Sequence, residues 1–449
     1  MEYDICGAPV SLPDRTARAH WNGVIRAFLA HGKQTPHHLS AALEDAPMFA
    51  MGHAARGLFS LMLGRAEMWP LAESACRAAH HAAKEAGANQ RERGWIDALD
   101  RWLVDDPTGS VAALENVLNA CPQDTLTVKV IHAIRFILGD AAGMRRSVER
   151  MLPAHGPDHP LRGYLLGCYA FTLEETGDYA RAEQVGLQGL ELTRDDAWGL
   201  HAVAHVYDMC ARPDCGISLI EQNRDAWDGA NNFRYHVWWH KALLHLDRGE
   251  FDVALALYDD QIRAEKTDDY RDIANATSLL MRLELEGVAV GDRWEELSIF
   301  AAARIDDSCV VFADLHYQLA LAGTANTEAI AAMSQRFARD ALQPGDMAAR
   351  TADPGLAAMA GLNAFSEGRY GAAFKHLCQA RGNMHTIGGS HAQRDVFERM
   401  TIDAGLRAGH VEGAEKILLE RLALRGGNQD RFAATRFHQL AQARRIPAQ

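Results

Sequence analysis

The 449-residue chain lacks the marks of several large functional classes. No apolar run approaches the roughly 20 residues that span a bilayer, so no membrane partner is expected. Basic residues are outnumbered, 46 Lys and Arg against 59 Asp and Glu. The resulting net charge of −13 argues against a nucleic-acid backbone as the partner. The opening MEYDICGAPVSLPDRTARAHW has no basic segment ahead of an apolar core, which predicts no secretory signal and a cytoplasmic protein. The eight cysteines are scattered; none forms a CxxC, and Cys210/Cys215 has no standard zinc spacing. Buried thiols in a reducing compartment are the expectation. GxSxG, P-loop and GxGxxG words are missing, as is a Ser-His-Asp arrangement, so neither a hydrolase elbow nor a nucleotide site is indicated. Alternating runs of Val, Ile and Thr are rare, and there is no low-complexity segment or charge block.

What is present is helix, rich in Ala, Leu, Glu and Arg. A punctuation recurs in GDYARAEQVGLQGLEL from Gly177, GEFDVALALYDDQI from Gly249, GRYGAAFKHLCQAR from Gly368 and, more loosely, GHVEGAEKILLERLAL from Gly409. Each has Gly, then an aromatic or Val two residues on, then Ala three further: Tyr179/Ala182, Phe251/Ala254, Tyr370/Ala373, Val411/Ala414. This is the turn and second helix of a tetratricopeptide-like repeat. Gly ends the first helix, the aromatic is expected to be buried between the helices, and Ala lets them approach. Ala170, Ala242 and Gly361 are the matching small positions upstream. Segments 47–64 with 69–87, 90–104 with 109–120, and 124–140 with 142–156 read as further hairpins. Residues 267–287 read as one long helix and 343–355 as the loosest linker. The fold class predicted is all-α, a tetratricopeptide-like α-solenoid. One domain is expected over 1–424, followed by a helical tail, 425–449, partly frayed at RRIPAQ.

The stretch from Trp198 to His240 is where chemistry is expected. His201 and His205 lie in WGLHAVAHVYDM, and His236 and His240 in FRYHVWWHKALL. Residues four apart on a helix share a face, so each pair presents two imidazoles on one side.

The words HAVAHVYDM, HVWWHKALLHLDRGEFDVALALYD and SHAQRDVFERM resemble those of the tetratricopeptide repeat protein 38 family. So do PMFAMGHA, RLELEGVAVGDRW at 282–294 and FADLHYQLALAG at 312–323, in the same order, from about residue 40 to 420. The resemblance implies a compact right-handed superhelix of helical hairpins and no particular activity. It carries over the two HxxxH pairs, Asp314 and His316 in FxDxH, and Gln393, Arg394 and Asp395 in AQRD.

Placing Ala204 and Ala242 at the small position puts both histidine pairs on the inner helices of successive repeats, ~8–10 Å apart. Four imidazoles could then meet at a divalent transition metal, with Asp314 or Asp208 completing the set. The zinc-protease word HExxH is absent, since Ala-Val-Ala and Val-Trp-Trp fill the pairs, and di-iron ExxH words are missing too. The alternatives are a metal-free pocket, in which His201, His205, His236, His240, Asp314 and His316 bind a small molecule or move protons, and purely structural histidines in a protein- or peptide-binding scaffold. Arg394 offers a fork for an anion near a helix start capped by Ser390, or else an ion pair with Asp395 or another helix. Gln393, Trp239, Asp208, His53 and Asp124 are further pocket candidates. Most of the remaining histidines, His80 and His81 among them, read as solvated surface. Partners foreseen are a small molecule or a protein, with a homo-oligomer also open.

Overall fold

The computed structural model describes residues 2–443. These form helices almost throughout, with one exception at the start: Glu2–Tyr3 pairs antiparallel with Pro9–Val10. The expected fraying of RRIPAQ lies outside the described residues. The chain divides into two compact units.

The first unit comprises residues 1–203, 223–234 and 344–347. Its hairpins are Arg15–Leu29 with Thr35–Asp45, Ala50–Leu61 with Trp69–Glu85, Gln90–Leu103 with Pro107–Ala120, Thr125–Ile137 with Ala141–Met151, and Arg162–Glu175 with Tyr179–Leu192. Side-chain caps start several of these helices: Asp14, Asp106, Asp124 and Asp140 each accept a backbone N–H three residues on. Pro107 is the first residue of its helix rather than part of the preceding turn, since its missing N–H costs nothing there. Asp124 also pairs with Arg91, which reaches Asp4 behind the small β-hairpin; all three side chains are fully buried.

The second unit comprises residues 204–222, 235–343 and 348–449. Its hairpins include Tyr270–Leu285 with Arg293–Ala303, Val311–Gly323 with Thr327–Asp340, Leu356–Ser366 with Tyr370–Arg381, and His391–Arg407 with Val411–Leu424. Tyr270–Leu285 also packs on Val311–Gly323 and His391–Arg407, which makes it central. The helix Arg431–Ala443 closes the unit, burying Phe432, Ala433 and Leu440 against Ile402, Ile417 and Leu418. The 343–355 stretch is helical in part, over Asp346–Arg350 and a π turn at Thr351–Gly355.

In both units, consecutive helices pack on each other, as a helical-repeat chain requires. The fold class is the predicted one: all-α, tetratricopeptide-like. Gly177, Gly249, Gly368 and Gly409 all have positive φ, +84°, +75°, +72° and +78°, the left-handed turn that ends the first helix of each repeat. Ala182, Ala254, Ala373 and Ala414 are fully buried. Tyr179, Phe251 and Tyr370, expected to be buried, are only half-buried. Phe251 and Tyr370 each open a helix, where one ring face is left for a later arginine to cover. Arg431 lies 5.3 Å over Phe251, and Arg407 lies 5.0 Å over Tyr370 and donates to its hydroxyl.

Candidate functional site

The helix Ala197–Met209 carries His201 and His205 one turn apart, and Phe233–Asp247 carries His236 and His240 likewise. One ring nitrogen from each of the four lies within 4.8 Å of the others. The His205 and His240 ring centroids are 4.4 Å apart, and His236 meets His240 edge-on at 4.6 Å. The Nε2 atoms of His236 and His240 are 3.2 Å apart. His201, His205 and His240 are buried, and His236 is half-buried.

The surroundings orient these rings. His236 Nδ1 donates to Asn275 Oδ1 at 2.9 Å, which directs its Nε2 lone pair at His240. Trp239 stacks on His236 at 5.2 Å and stands edge-on to His240 at 4.8 Å. His201 lies between Phe171, Trp198 and Phe233, 4.9–5.6 Å away. Burial pushes His236 down to about 3, with His205 adding to the fall and the Asn275 bond opposing it. Burial also carries His240 well below the usual imidazole range, helped by His205, His236 and Arg282. Two ring nitrogens in contact on neutral imidazoles can share one proton or one cation.

Arg282 links this cluster to the next candidates. Its guanidinium lies 5.5 Å over Trp239, donates to Ser278 and to the Ala392 carbonyl, and is lowered to about 9 by burial and then by Arg399. His316 is fully buried, and its Nδ1 donates to the Phe312 carbonyl at 2.7 Å. Its Nε2 has no hydrogen-bond partner among the described residues, and burial lowers the ring to about 4. Asp314 is bound to Arg336 at 2.5 and 3.1 Å in a buried pair. Asp208 is held by Arg425. Neither carboxylate is grouped with the four imidazoles.

The AQRD residues divide. Ser390 and Gln393 form a reciprocal capping box at the start of His391–Arg407, so Gln393 is a cap. Arg394 donates to the carbonyls of Gly388 and Gly389. Asp395 is taken by Arg421 and Arg399, both 2.6 Å away, and their charges hold it well below the usual carboxylate range against the effect of burial. A cavity of about 350 Å³ in the second unit is lined by Asp208, His385, His391, Arg394, Asp395 and Arg425, among others. The four imidazoles are not among its lining residues. In the first unit, His53 bonds the Pro47 carbonyl at 2.8 Å. The two histidine pairs are thus brought together, three other candidates share the cavity, and Asp314, Gln393 and His53 have local roles.

Asn275 and Arg282 escaped the sequence reading. They are seven residues apart, two turns of one helix, on a buried stretch whose other residues are Ala, Leu, Met, Thr and Ser. An amide and a guanidinium at helical spacing among small and apolar residues were the available signal.

The hairpins and the grouped imidazoles together define a tetratricopeptide-like helical-repeat protein with a histidine centre. No known family profile matches the chain. Among solved structures it is similar to the human IFIT1 dimer with PPP-AAAA, at 14% identity over 88% of this chain and 95% of that one, with a TM-score of 0.42. It is also similar to Naa15/Naa10 bound to HypK-THB, at 12% identity over 95% of this chain and 66% of that one, with a TM-score of 0.26. Among the described residues no helix is long and apolar enough to cross a membrane.

Proposed function

We propose that this chain is a cytoplasmic helical-repeat protein of the tetratricopeptide repeat protein 38 type that binds a divalent transition metal through His201, His205, His236 and His240. The grouping of four ring nitrogens within 4.8 Å carries the reading. Asn275 supports it as the outer partner that fixes the His236 tautomer, a common companion of metal-bound histidine. Four imidazoles would close a tetrahedral zinc site, whereas iron, nickel or copper could keep further positions open for a substrate. The test is metal analysis and thermal melting of wild type, His205→Ala and His240→Ala, with and without chelator. About one equivalent of metal at these histidines, a melting point lowered by chelation, and one equivalent less metal in the two variants are expected. No bound metal and no effect of chelation would leave structural histidines in a protein-binding scaffold.

The cavity favours a second, compatible reading, a small anionic ligand. Its volume is in the range of small-molecule sites, and Arg394, His385 and His391 supply cationic or donor groups. Calorimetry with inorganic phosphate against wild type and Arg394→Ala tests it; equal binding or none in both removes it.

A further inference from the structure

A second group of metal-ligating side chains lies in the first unit and uses none of the residues above. Helix Trp69–Glu85 presents Cys76 and His80 one turn apart, and the adjoining helix Gln90–Leu103 brings Asp100 against them. The Cys76 thiol donates to Asp100 Oδ1 at 3.0 Å. His80 Nε2 lies 2.9 and 3.0 Å from the two Asp100 oxygens. One donor atom of each residue lies within 4.8 Å of the other two. Cys76 is buried, Asp100 half-buried and His80 exposed, so solvent reaches one side only.

We propose that Cys76, His80 and Asp100 form a zinc-type metal site with water in the fourth position. Thiolate, imidazole and carboxylate are the three ligand types zinc takes, and three protein ligands plus water is a recurrent open site. Around tetrahedral zinc such donor atoms sit about 3.3–3.6 Å apart, from bond lengths of about 2.0–2.3 Å. The two separations from Asp100 need to open by only a few tenths of an ångström, the sulfur and imidazole donors are within 4.8 Å of each other, and the exposed His80 ring has room to turn. A thiol–imidazole nucleophile is the competing chemistry, and the geometry opposes it. The thiol and the imidazole each bond the Asp100 carboxylate, so the thiol proton is directed at a weakly basic carboxylate and not at the imidazole. Burial, with Asp100 adding to it, also pushes the thiol up to about 12. Metal binding breaks the S–H bond, forms a sulfur–metal bond and releases the proton to solvent, with no change of oxidation state. The divalent charge then balances one thiolate and one carboxylate.

The test is titration of chelator-stripped, reduced, full-length protein with cobalt(II), followed by displacement with zinc. Thiolate-to-cobalt charge transfer in the near ultraviolet reports only a sulfur ligand, so a four-imidazole site is silent in this readout. Wild type and His205→Ala are expected to show the band with the amplitude of one thiolate-bound cobalt and one thiol proton released, and Cys76→Ser to lack it. His80→Ala, an exposed substitution that leaves the helices intact, should weaken binding at least about tenfold. No band in wild type, a band retained in Cys76→Ser, or unchanged affinity in His80→Ala overturns the proposal. Loss of the imidazole site would instead appear as a missing second equivalent that Cys76→Ser does not alter.

Discussion

At the scale of single residues, burial decides the behaviour of most charged and titratable groups. Asp314 and Arg336 illustrate the strongest case, since each is nearly enclosed and each is the other's partner. Arg336→Met should cost about 3–5 kcal/mol in urea unfolding, because a buried carboxylate is left alone. Adding Asp314→Leu should recover much of that loss; a double variant as unstable as the single one contradicts the pairing. His155 gives a pH dependence. Its nitrogens bond Thr125 and the Met151 carbonyl, and burial lowers it to about 4 against about 6.5 when unfolded. The unfolded chain therefore takes up the proton first. The contribution to stability is whole above pH 6.5 and is lost as pH falls toward 4, up to roughly 3 kcal/mol. Chemical unfolding between pH 7 and 4 should show a shallower slope in His155→Gln than in wild type, and parallel slopes would refute the assignment.

Among the helices, the repeated turn separates backbone from packing effects. Gly177 has φ +84° with open space where a Cβ would stand, so Gly177→Ala should cost about 1 kcal/mol through conformation alone. Gly361 is the converse. A Cβ there would come within 2.7 Å of Leu377, so Gly361→Ala should overpack the hairpin by about 1–3 kcal/mol. Ala254→Leu belongs with it, at a fully buried contact between the two helices. A neutral Gly177→Ala in thermal melting would mean the left-handed turn is not needed. The turns and hairpins were legible because each rests on residues within about ten positions of one another. The half-exposure of Phe251 was not, because its cover, Arg431, comes from 180 residues later.

Over the whole molecule, nearest-neighbour packing predicts uneven protection. The helices Arg162–Glu175 and Tyr270–Leu285 are buried along almost all their length, whereas Thr327–Asp340 buries only a stripe. Amide hydrogen exchange should be slowest in the first two and faster by orders of magnitude in the third. Uniform protection would contradict this gradient.

Sequence alone determined whatever the helix period governs. The 3.6-residue turn puts His201 over His205 and His236 over His240 whatever surrounds them, and the Gly–aromatic–Ala spacing marks the hairpins. Only tertiary structure decided which way each helix is rotated about its axis. That rotation is set by the side chains packing along the whole interface, not by local spacing. It brings the imidazole pairs together, gives Asp314 to Arg336 and Asp395 to Arg421, and brings Asp100 to Cys76 and His80.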